Sequence, residues 1–166
     1  MIKRLVLLAA LLGCFSVAQA KLYIGVLNSN IIVGDGVAPT VGLSVGSYDL
    51  FGPVGLRASA LTSILSFGAN GFLEGSLDGT LSFGEGVVFY TGVGLGYSNF
   101  VGGNATLGAF VGLDLDASTA ISLFLEARPV IYLGTVAAFQ ARAGFNFHLG
   151  GTAGGESVQG KCCIIP

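Results

Sequence analysis

Charge is scarce in this sequence. Seven basic and nine acidic residues make up 10% of 166, where an ordinary soluble domain carries about 25%. The net charge of −2 excludes the basic footprint that nucleic acid or an anionic membrane surface requires. Tryptophan is absent and histidine occurs once, as His148. The three cysteines are Cys14 and the adjacent pair Cys162–Cys163, which offer neither a zinc spacing nor a disulfide framework. Neighbouring cysteines also bridge each other only with strain. Long apolar runs are missing too, apart from the stretch from Leu5 to Val17. A membrane helix needs roughly 18 such residues. Yet 52% of the chain is hydrophobic and its mean hydropathy is +0.81. That composition belongs in a membrane, where only helices and closed barrels satisfy every backbone hydrogen bond. With helices excluded, a closed barrel remains.

The apolar N-terminal run has the parts of an export signal. Lys3 and Arg4 precede it, and Ala18-Gln19-Ala20 closes it with a small-x-small cleavage site. A lipoprotein-type cut before Cys14 fits less well, because Leu12 is unusual two positions before that cysteine. Residues 1–20 are therefore expected to be removed. The mature chain begins at Lys21 and, without Lys3 and Arg4, carries five basic against nine acidic residues, a net −4. Residues 150–166, Gly-rich and then Lys161-Cys162-Cys163, are expected to form a flexible tail.

Between them, residues 21–149 alternate with the period of a half-buried strand. Eight strands are predicted, at about 21–27, 38–48, 53–61, 69–78, 86–97, 104–114, 117–128 and 136–149, with ends good to roughly ±2–4 residues. One phase is apolar, as in Val41-x-Leu43-x-Val45 and Val87-x-Phe89. The other is small or polar, as in Gly92-x-Gly94-x-Gly96 and Gln140-x-Arg142-x-Gly144. In a membrane barrel the apolar phase faces lipid and the polar phase packs the lumen. Arg57, Glu74, Glu126, Arg128 and Arg142 all fall in the polar phase. They are expected to form an ion-pair network inside the barrel, since lone buried charges would be prohibitively costly. Glycines on that face leave room for Tyr90, Phe110, Phe124 and the arginines. Asp35, Asp49, Glu85, Asp114 and Asp116 are placed in or beside turns. Aromatic residues near strand ends suggest girdles at the membrane surfaces: Tyr23, Tyr48, Phe51, Phe67, Phe83, Tyr97, Phe100, Tyr132 and Phe147.

Several apparent chemical motifs dissolve in this context. Gly42-Leu43-Ser44-Val45-Gly46 matches a nucleophile elbow, but that motif needs a strand-to-helix turn. Here it lies inside an alternating strand. The Gly92 to Gly96 repeat lacks the helix that would bind a dinucleotide. Asp114-Leu115-Asp116 has too few ligands for calcium. Asn104-Ala105-Thr106 fits a glycosylation sequon but reads as strand. No catalytic, metal or cofactor site is expected.

The signal, the eight alternating strands, the inward Arg/Glu set and the final strand from Phe139 to Leu149 together resemble the small eight-stranded outer-membrane barrels, the OmpA/OmpX-like class. The resemblance covers about residues 21–149 and is one of pattern, not of a specific motif. It implies an all-β, antiparallel, up-and-down transmembrane barrel in the bacterial outer membrane, with outer-membrane lipid and the barrel assembly machinery as partners. The N-terminus would then lie on the periplasmic side. The role implied is structural or in envelope interaction, with a plugged or very narrow lumen. In that class the last strand commonly ends the chain on an aromatic residue. Here Phe145 and Phe147 have the right phase, but residues 150–166 follow. The short external loops also depart from the pattern. The alternative is a soluble secreted, lipocalin-like barrel with its apolar phase lining a ligand cavity.

Overall fold

A computed structural model of the chain describes residues 21–63, 71–84, 86–99 and 103–149. The expected leader, the tail, Phe67, Glu85 and Phe100 lie outside these residues. The described chain forms eight strands: β1 Leu22–Val33, β2 Gly36–Phe51, β3 Val54–Ser63, β4 Leu73–Phe83, β5 Val87–Ser98, β6 Asn104–Asp116, β7 Ile121–Tyr132 and β8 Val136–Leu149. Each pairs antiparallel with the next, and β8 closes on β1, with Leu22 opposite Leu149. Closure leaves no free sheet edge. One end of the barrel therefore carries Leu22 and Leu149 (the terminal end). The opposite end carries the β1–β2 hairpin.

Several strands run further than the apolar alternation alone suggests. β1 continues six residues past Leu27, through Asn28 and Asn30, to a turn at Gly34-Asp35. Gly34 takes φ 54°, a left-handed conformation that glycine adopts without steric cost. β4 continues past Asp78 to Phe83, and β6 past Asp114 to Asp116. β7 is shifted, starting at Ile121 and running through Pro129 to Tyr132. The β2–β3 register shifts between Ser47 and Phe51, an irregularity beside the Gly52-Pro53 turn.

The two phases take opposite sides of the wall. Leu43, Val93 and Leu95 are 60%, 63% and 67% exposed on the outer surface, while Arg57, Asp78, Glu126 and Arg128 are buried within. This is the reverse of a soluble barrel, and an apolar internal ligand cavity is not what the apolar phase builds. Three aromatics expected in the girdles point inward instead. Tyr23 and Tyr132 are 1% exposed, and Tyr48 stacks on Tyr23 with ring centroids 4.9 Å apart. Their position in the alternation, not their nearness to strand ends, sets their side. Phe51, Phe83, Tyr97 and Phe147 are on the outer face.

Candidate functional site

The interior is stacked in layers. At the hairpin end Ile31, Val130, Tyr132 and Ala138 form a buried apolar cluster, with Val33, Ala38, Phe72 and Val136 against it. A second cluster of Leu27, Leu61 and Phe124 also meets Phe72.

The charged layer comes from β3, β4, β7 and β8. Asp78 lies in its middle, fully buried, and accepts four hydrogen bonds. Arg57 donates through Nε and Nη2 to Oδ2, at 3.0 and 2.9 Å. Arg128 donates as a fork, Nη1 to Oδ2 at 2.8 Å and Nη2 to Oδ1 at 2.7 Å. Glu126 lies between all three arginines, at 2.6 Å from Arg57, 3.6 Å from Arg142 and 3.9 Å from Arg128. Glu74 is 3.3 Å from Arg142 and accepts from Tyr132 OH at 2.9 Å and Gln140 Nε2 at 3.0 Å. Arg142 in turn donates to Gln140 Oε1 at 2.6 Å.

All five residues singled out from the sequence point into this layer. The sequence reading missed the sixth, Asp78, by placing it at the end of its strand. The omission matters for charge. Three guanidinium groups face three carboxylates once Asp78 is included, and without it the layer would hold an unpaired buried cation. The alternation had already put Asp78 on the polar face, and the missing negative charge was the signal that could have found it.

Glycines shape the space around these groups. A Cβ on Gly94 would collide with the Asp78 carboxylate and stand 2.6 Å from Arg128 Nη2. A Cβ on Gly92 would meet the Phe110 ring. That ring carries Arg57 and Arg128 over it, at 4.8 and 5.2 Å from its centroid. A cation over an aromatic face is attracted by the ring quadrupole, the more so when desolvated.

Toward the terminal end the filling is aromatic and then polar. Tyr23, Tyr48, Tyr90 and Phe110 follow one another at centroid distances of 4.9, 5.2 and 6.2 Å. Asp114, expected in a turn, is buried and accepts from Asn146 Nδ2 at 2.7 Å. Asp49 lies at the mouth, where it accepts from Ser47 Oγ at 2.8 Å and from the Lys21 backbone nitrogen at 2.9 Å. His148 Nε2 is 3.0 Å from Ser122 Oγ. Ser122 is fully buried, so this pair does not present a nucleophile to substrate. Ser44 of the elbow-like motif is buried in mid-strand. Among the described residues no group of three or more His, Cys, Asp or Glu is placed to hold a metal ion.

An apolar outer wall, a closed eight-stranded meander and an inward layer of charged side chains define the class: a small transmembrane β-barrel of the outer-membrane type. Solved structures share the fold. The N-terminal β-barrel domain of Pseudomonas aeruginosa OprF matches with TM-score 0.61 and 18% identity over 79% of this chain and 100% of that one. Neisserial surface protein A matches with TM-score 0.58 and 14% identity, over 78% and 96%. Ail, the attachment invasion locus protein of Yersinia pestis, matches with TM-score 0.51 and 17% identity, over 78% and 97%. At these identities the likeness is one of fold. No protein-family model and no curated protein matches the sequence.

Proposed function

We propose that the protein is an integral component of the bacterial outer membrane whose barrel has a structural or envelope-interaction role and a lumen plugged by its own side chains. The observation that carries this reading is the balanced layer of three arginines and three carboxylates, closed on one side by the apolar clusters and on the other by the tyrosine stack. An eight-stranded barrel has an interior just wide enough for side chains. In this reading Arg57, Glu74, Glu126, Arg128 and Arg142, together with Asp78, hold the barrel together and catalyse nothing. Residues 1–20 direct export and are then removed, and the assembly machinery reads the last strand through Phe145 and Phe147. The terminal end then faces the periplasm.

Two measurements test this. The first is membrane fractionation followed by SDS electrophoresis with and without boiling. Recovery in the outer membrane, with a folded band whose mobility shifts on heating, is expected. Recovery as a soluble protein without that band refutes membrane insertion. The second is planar-bilayer recording of the refolded protein. No steady conductance, or only a small one, is expected, and large stable open channels refute the plugged lumen.

A further inference from the structure

The outer wall is apolar almost throughout, and the exception is local. Asn28 and Asn30 point outward from the middle of β1, between Val26 and Ile32, and both are exposed. Among the described residues no other strand turns an amide or a charged side chain outward between its ends. Two outward threonines show the usual remedy. Thr62 Oγ1 donates to the Phe72 carbonyl at 2.9 Å, and Thr91 Oγ1 to the Phe110 carbonyl at 2.8 Å. Asn28 and Asn30 make no hydrogen bond of this kind. Beside them the wall is low. Ala141 and Ala143 on β8 are their register partners, and with Ala127 on β7 they floor a depression that the two asparagines edge.

We infer that this patch is where two copies of the chain associate within the membrane. Hydrocarbon offers an amide neither donor nor acceptor, so its polar atoms need a partner that arrives in the plane of the bilayer. A carboxamide is both donor and acceptor, and so is complementary to another carboxamide. Two barrels related by a two-fold axis along the membrane normal keep every residue at the same depth in both copies. Asn28 then meets Asn28, and Asn30 meets Asn30. The alanine floor lets the two walls approach closely, as small residues do between membrane helices, where amide side chains supply the cross-links. The inference rests on the outer wall facing lipid.

The test is sedimentation equilibrium of the refolded mature chain in density-matched micelles, over a range of protein-to-detergent ratios. The native chain is expected to dimerise. N28L/N30L is expected to raise the dissociation constant about tenfold or more while keeping the heat-shifted band. A141F, which fills the depression and leaves both asparagines in place in the sequence, is expected to weaken association as well. If N28L/N30L loses the heat-shifted band, N28V alone is read in the same way. A native chain that stays monomeric at every ratio overturns the inference and leaves a lipid polar group as the partner of the amides. Unchanged association in the folded asparagine variant or in A141F also overturns it. A chain found in the membrane but monomeric refutes only this inference. A chain not found in the membrane refutes the reading beneath it.

Discussion

Asp78→Ala removes the carboxylate that two buried arginines share. Asp78 is fully buried and accepts four hydrogen bonds from two guanidinium groups. Removing it leaves three buried arginines facing two carboxylates. Losing one partner of a buried ion pair costs about 3–5 kcal/mol, because the remaining charge stays desolvated. That corresponds to a shift of at least about a hundredfold in the ratio of folded to unfolded protein. The contrast is Asp49→Ala at the mouth, where a half-buried carboxylate accepts only from Ser47 and the Lys21 nitrogen. Its removal should cost about 1 kcal/mol. The assay is urea unfolding in micelles, followed by far-ultraviolet circular dichroism and by loss of the heat-shifted band, since the chain has no tryptophan to report. Adding Arg128→Met to Asp78→Ala restores a balance of two cations and two carboxylates. The double variant should therefore recover part of the loss. If Asp78→Ala unfolds within about 0.5 kcal/mol of native, or if the double variant is worse by the full sum of both changes, charge balance is not what holds the lumen.

Other substitutions probe separate parts of the structure. Gly94→Val forces a side chain into Asp78 and Arg128 and should destabilise by about 1–3 kcal/mol, while Gly75→Ala meets nothing within 4 Å and should be close to neutral. Equal urea midpoints for the two would refute the packing argument. Val93→Arg puts a charge on the outer wall and should cost about 2–4 kcal/mol near mid-membrane and impair insertion into vesicles. Normal insertion would mean that this face does not meet lipid. Tyr132→Phe removes the hydroxyl that donates to Glu74 at 2.9 Å and should cost about 1.5–3 kcal/mol. An unchanged midpoint would show that Gln140 and Arg142 suffice for Glu74.

Strand number and facing were legible because both rest on alternation, and alternation survives errors at strand ends. Strand length was less legible. Asn28 and Asn30 interrupt the apolar phase of β1, so composition ends the strand there, whereas pairing to β2 and β8 continues it to Val33. Pro129 misled in the same way. It sits on the outer face of β7 opposite Phe139, within a stretch composition assigns to a loop. Tyr23, Tyr48 and Tyr132 were misplaced because closeness to a strand end was weighed above phase.

The charged layer teaches a stricter lesson. The three arginines of this layer are buried, and a buried cation needs a carboxylate beside it to offset its desolvation. A count of three inward arginines therefore demands a third inward acid. Only carboxylates on the polar phase can supply it. Asp78 and Asp114 both lie on that phase. Pairing decides between them, since Asp78 lies opposite Arg57 in the β3–β4 register, while Asp114 faces Val88 and Phe124. Charge balance within this one layer and strand register together identify a residue that neither motif nor composition marks. Register and packing explain why Gly94, opposite Asp78 on β5, has no side chain: the Asp78 carboxylate and Arg128 already occupy that space.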